Sequence, residues 1–135
     1  MNPILTTSIQ LAGAVQFIIA AANFFAPAKL RYEENLAKVA PIIRQIFTVH
    51  CIYIVLVLTG FGLICLVFPN ELCGASSLGK FLCVFMAFFW GLRVIIQFVY
   101  YDTSVKRENP LGTFCFGAAF LYLATTFAVA TLLAK

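Results

Sequence analysis

Charge is scarce in this sequence. Lys and Arg number nine and Asp and Glu five, so that charged residues make up 10% of the 135, where soluble domains carry roughly 25%. Fifteen Phe and a hydrophobic fraction of 63% complete the imbalance, against roughly 45–50% in ordinary domains. Such a chain cannot cover itself with a water-compatible surface. Other absences narrow the chemistry. There is one histidine, and the long apolar blocks hold no Asp or Glu, so a proton or sodium relay of the usual carboxylate kind has no carrier. One histidine cannot build a three- or four-ligand metal shell or supply both axial ligands of a haem, so neither metal nor cofactor is expected. No pair of the five cysteines has the Cys-x-x-Cys spacing of a thiol oxidoreductase. A phosphate-cradling Gly-rich loop and a serine nucleophile motif are also missing. Repeats, low-complexity tracts and linkers are lacking, and 135 residues make one domain.

The apolar residues fall in blocks. Met1 to Ala28 carries no charge, Gln45 to Asn70 only His50, Phe81 to Tyr101 only Arg93, and Asn109 to Ala134 none. Each block reaches the roughly 20 residues that a helix needs to cross about 30 Å of hydrocarbon. Without strict alternation a β-barrel is disfavoured, and backbone groups in lipid must then bond within their own helix. The fold expected is all-α: an antiparallel membrane-spanning four-helix bundle with spans over residues 4–25, 42–68, 79–101 and 111–133 and both termini on one side. Met1-Asn2-Pro3 lacks the basic start of a signal peptide, so the first block reads as a mature span.

Between the spans, Pro27 is expected to stop the first helix. The polar stretch that follows reads either as a short interfacial helix over 29–39, with Glu34 and Lys38 four apart, or as a solvated loop. Pro41 fits a first helical turn, Pro69-Asn70 a stop, and Ser76-Ser77 a helix start. Lys29, Arg31, Lys38, Arg44, Lys106 and Arg107 flank the 1–2 and 3–4 connections, while Lys80 and Lys135 lie on the other side. The positive-inside bias places residues 26–41 and 102–110 in the cytoplasm and both termini outside, which in a bacterial inner membrane is the periplasm. The net charge of +4 is therefore a topology signal and calls for no nucleic-acid partner; a basic rim also attracts anionic lipids.

Ionisable groups inside spans mark function or a specific partner. His50 and Arg93 both lie roughly 9–12 Å from the cytoplasmic ends of their helices. Trp90, Arg93, Gln97, Tyr100 and Tyr101 recur at helical spacing, as do His50, Tyr53 and Gly60, and as do Gly13, Gln16, Ala20 and Asn23. These positions define a candidate cytoplasmic-leaflet pocket of His50, Tyr53, Arg93, Gln97 and Tyr100, with Trp90, Asn23 and Asp102 beside it. Because Cα–Cβ bonds tilt toward a helix N-terminus, Arg93 would have to bend back to reach the cytoplasmic headgroups. It is expected instead to face inward, toward polar groups or an anionic ligand, although snorkelling is the competing reading. His50 fits a hydrogen bond tying two helices, with general acid–base catalysis the alternative, since its ordinary pKa lies near 6.5. Trp90 and the tyrosines also fit packing and an aromatic belt. Cys65, Cys73 and Cys83 gather near the outer face, where a Cys73–Cys83 or Cys65–Cys83 bridge competes with the reading of small buried side chains.

Three small four-span families fail on particular residues. Arg44-Gln45-Ile46-Phe47-Thr48-Val49-His50 does not match the Arg-Asn-Glu pattern of the membrane glutathione and eicosanoid transferases. The quinone-linked disulfide-forming enzymes need Cys-x-x-Cys, and the small multidrug exporters need Glu in span one. Phe89-Trp90-x-x-Arg93-x-x-x-Gln97-x-x-Tyr100-Tyr101-Asp102, with His50 upstream, resembles uncharacterised four-span bacterial membrane proteins across spans two and three. That resemblance implies no activity. The residues point first to a site for an amphipathic small molecule (lipid, isoprenoid or quinone). In it Arg93 would meet an anionic or carbonyl head, Gln97 and Tyr100 would orient it, and His50 would bond or donate a proton. A non-enzymatic scaffold, as a homo-oligomer or in a larger membrane complex, is the second reading, since Gly13, Ala14, Ala20–Ala22 and Gly117–Ala119 suit close helix packing. A pore or uniporter is the third.

Overall fold

A computed structural model describes residues 2–100 and 110–133. All of its regular elements among those residues are helical. α1 spans Pro3–Lys29, α2 Tyr32–Asn35, α3 Pro41–Val67, α4 Pro69–Cys73, α5 Ser77–Ile95 and α6 Pro110–Leu133; α5 runs on into a π-helical turn, Ile96–Tyr100. Four helices, Pro3–Lys29, Pro41–Val67, Ser77–Tyr100 and Pro110–Leu133, are long and apolar enough to cross a membrane. The shortest have 24 residues, about 36 Å at 1.5 Å per residue.

Each long helix buries a narrow stripe and leaves most of its apolar surface open. Leu5, Ile9, Ala12, Gln16, Ile19 and Ala20 are buried on α1, and Phe120, Leu123, Phe127 and Ala130 on α6. This three-and-four spacing lines one face of a helix. Outside the stripes large side chains stand exposed, among them Ile4, Phe88, Leu121 and Leu132. Contiguous apolar surface of that kind is a liability in water.

The chain forms two compact units, Met1–Ala12 with Phe68–Lys135, and Gly13–Val67. In the first, α5 and α6 run antiparallel, with Trp90 beside Phe120 and the Phe98 ring against Gly117. The first turns of α1 join α6 where the Tyr122 hydroxyl donates to the Ser8 carbonyl at 3.2 Å. α4 had not been expected: Pro-Asn reads as a breaker, and five residues are too few to show a period. Pro69 occupies its first turn together with Glu71, the placements that a helix N-terminus favours. Ser76 caps α5 as expected, its Oγ accepting from the Gly79 N–H at 2.9 Å.

In the second unit α1 and α3 approach closely at two glycines. A Cβ on Gly13 would stand 3.0 Å from the Gly62 carbonyl oxygen and 3.0 Å from Cys65 Cβ, and one on Gly62 would stand 2.9 Å from the Phe17 ring. Buried Gln16 completes the contact, its Nε2 donating to Cys65 Sγ at 3.4 Å. Pro27, expected to end the first helix, lies inside α1. The ladder resumes behind it with Leu30 N–H donating to the Ala26 carbonyl at 2.8 Å, so only the rung that Pro27 would have given to the Asn23 carbonyl is missing. The connection that follows is shorter than a helix over 29–39. Arg31 turns the chain with φ 53° and ψ 51°, a left-handed conformation costing about 1–2 kcal/mol in a residue with a Cβ. One helical turn, Tyr32–Asn35, then remains. Glu34 accordingly pairs with Arg31, at 3.6 Å, and not with Lys38; the pair is exposed.

Gly62→Val should force α1 and α3 apart and cost about 1–3 kcal/mol, as overpacking does. Thermal unfolding in detergent checks this; a variant as stable as the parent would contradict the close approach.

Candidate functional site

The residues singled out in the sequence fall in both units. On α5, Trp90, Arg93 and Gln97 come together. Arg93 Nη1 donates to Gln97 Oε1 at 3.4 Å, and its Cζ lies 4.6 Å from the centre of the Phe120 ring on α6. Trp90 stacks on the same ring at 5.6 Å and 17°, and Phe116 stacks on it from the next turn of α6, at 6.0 Å. Phe120 was not anticipated, since nothing marks one Phe among fifteen. A cation against an aromatic face contributes about 2 kcal/mol when desolvated, so Arg93 has an inward partner of its own. The guanidinium nevertheless reaches one turn toward the helix C-terminus to meet Gln97, the bend that the Cα–Cβ tilt argued against.

Tyr100 stands apart from this group at 81% exposure. In the π-turn Ile96–Tyr100 the wider i→i+5 ring makes later side chains lag behind ordinary helical phase, so Tyr100 no longer follows Gln97 on the same face. Tyr101 and Asp102 lie outside the described residues.

His50 and Tyr53, in the other unit, are exposed on α3. His50 Nδ1 lies 2.8 Å from the Ile46 carbonyl of its own helix. A carbonyl can only accept, so Nδ1 carries a proton and donates it to this bond. The bond stays within one helix and ties no pair.

Asn23 lies in a setting that helical spacing could not foresee. It lines a cavity of about 630 Å3 bounded by α1 (Asn23, Phe24, Pro27), α2 (Tyr32, Glu33) with Leu36, and the face of α3 from Arg44 to Thr59. That volume is in the range of small-molecule sites, roughly 300–1,000 Å3. Along it no residue of α3 from Pro41 to Val57 is buried, whereas α1 and α3 meet closely at Gly13 and Gly62. Tyr32 forms an edge contact with Phe47, their ring centres 5.2 Å apart. The wall is more apolar than its composition implies, since Thr48 and Thr59 donate their hydroxyls to the Arg44 and Val55 carbonyls of α3, at 2.9 and 2.8 Å. Arg44 is half-buried and Glu33 exposed.

All five cysteines are free thiols, with Cys65, Cys73 and Cys83 buried, so neither outer-face bridge is present. Cys73, in the α4 connection, accepts from the Thr6 hydroxyl at 3.9 Å. Burial pushes this thiol's pKa up, partly opposed by that hydrogen bond, which keeps it protonated and unreactive near neutrality. No buried side-chain nitrogen or oxygen among the described residues lacks a hydrogen-bond partner.

No family model, curated protein or solved structure matches this chain.

Trp90 is the one tryptophan, so intrinsic fluorescence reports on the Arg93 group. Phe120→Ala should shift its emission to the red and lower stability by on the order of 3 kcal/mol. An unchanged spectrum would show that Phe120 does not enclose the indole.

Proposed function

We propose that this chain is an integral membrane protein of a bacterial inner membrane that binds an amphipathic small molecule in its cytoplasmic leaflet. Four apolar helices support insertion. The distribution of Lys and Arg supports an antiparallel four-span topology with residues 26–41 and 102–110 in the cytoplasm and both termini periplasmic.

The observation that carries the binding reading is the cavity between α1, α2 and α3. Its wall from Arg44 to Thr59 follows sixteen residues of α3, about 24 Å of helix. Half of a bilayer of about 40–45 Å, headgroup regions included, is about 20–22 Å. The cavity thus runs about the length of one leaflet with its headgroup region, with Arg44 toward one end and a mostly apolar lining, the form that a lipid or isoprenoid chain fills. Asn23 is the residue of the expected set that lines it. Arg93, Gln97 and Trp90 are the weaker place for an anionic head, because the guanidinium already engages Gln97 and Phe120. His50 is the candidate for proton transfer, and its exposed position supports a role only toward a molecule arriving from outside the helix.

A scaffold is the second reading, favoured by one feature. Phe81, Phe85, Phe88, Leu92 and Ile95 form an exposed stripe along α5 at three-and-four spacing, as a helix-packing seam does.

Val55→Trp should fill the cavity. Mass spectrometry of lipid extracts should find one species retained by the parent and by Arg93→Leu after detergent exchange, and lost from Val55→Trp. Identical profiles from all three, together with a larger assembly in native-size measurement, would favour the scaffold.

A further inference from the structure

Two opposite charges line the α1–α2–α3 cavity, and no ion pair joins them. Arg44 on α3 and Glu33 on α2 both face it. The ion pair formed among the described residues is Arg31 with Glu34, which commits the neighbouring carboxylate and leaves Glu33 to the cavity. An anion site would gain nothing from a carboxylate, and a cation site nothing from a guanidinium. A largely apolar cavity with one of each in its lining is complementary to a molecule that carries both charges on an apolar chain.

We infer that the cavity takes a zwitterionic phospholipid with a primary ammonium, its phosphate on Arg44 and its ammonium on Glu33. The inference rests on the lipid-binding reading above and names the headgroup. A guanidinium offers paired donors that match phosphate oxygens. A primary ammonium offers three N–H donors, of which a carboxylate accepts one or two, whereas a quaternary ammonium offers none. The apolar wall commits the occupant to a membrane lipid and excludes a free zwitterion, because a water-soluble head alone would leave Phe47, Ile52, Val55 and Leu56 uncovered. The chain is worth about 0.8 kcal/mol per buried CH2 measured against water, but little against bulk lipid. Selection within a membrane therefore falls to the two charges.

The test uses the full chain reconstituted in vesicles of phosphatidylethanolamine, phosphatidylcholine and phosphatidylglycerol in equal parts, followed by gentle detergent extraction and quantification of retained lipid. The parent should retain phosphatidylethanolamine at least threefold over each of the others. Glu33→Gln should bring that ratio to about one, Glu33→Lys should turn the preference to phosphatidylglycerol, and Arg44→Gln should reduce retention of all three. Glu33 is exposed, so its variants do not challenge the fold. A parent that retains phosphatidylglycerol or phosphatidylcholine as well as phosphatidylethanolamine, or a ratio that Glu33→Gln leaves unchanged, overturns the headgroup assignment while the cavity stands as a lipid site. A parent that retains no lipid overturns both.

Discussion

A polar group in apolar surroundings must bring its partner with it, and that requirement organises this molecule. With 10% charged residues there are few such groups, and the buried ones are answered close by. Gln16 reaches Cys65 across the α1–α3 contact. Gln97 is met by Arg93 from one turn earlier in the same helix, and Arg93 in turn lies against Phe120. Threonine hydroxyls fold back on their own helices. Water supplies none of these partners in a hydrocarbon medium, so each unanswered group would cost several kcal/mol. In a membrane, lipid tails would be as apolar as the side chains, and little hydrophobic force would drive the helices together. Backbones approach most closely where a glycine permits it, at Gly13 and Gly62 in one unit, and a ring packs against Gly117, that of Phe98, in the other.

The cavity follows from the same economy of contact. α1 and α3 approach closely at Gly13 and Gly62, while Phe24 and Phe47 line the cavity. The single turn Tyr32–Asn35, entered through the left-handed Arg31, contributes Tyr32 and Glu33 to its lining. A cavity lined mostly by apolar side chains, with Arg44 and Glu33 among them, results.

Much of this was legible in the sequence, because long apolar blocks and their breakers are local signals. The four helices, Pro41 in a first turn, the Ser76 cap and the shared face of Trp90, Arg93 and Gln97 all follow from spacing and single-residue chemistry. What was not legible depends on exceptions or on contacts remote in sequence. Pro27 stays within α1 at the loss of one rung. The π-turn moves Tyr100 off the face that regular spacing assigned to it. Phe120 becomes Arg93's partner through the α5–α6 contact, and the cavity needs three elements at once. His50 stands out as an ionisable group inside an apolar block, yet its bond is to Ile46 of the same helix.

The central claim, that a lipid occupies the trough between α1, α2 and α3, is tested most directly by photocrosslinking in the membrane. A phospholipid with a photoactivatable acyl chain, irradiated in vesicles with the protein and mapped by peptide mass spectrometry, should label Asn23–Phe24 and Cys51–Leu56 well above the exposed Phe85–Phe88 surface of α5. Uniform labelling of all exposed apolar surfaces would contradict the account.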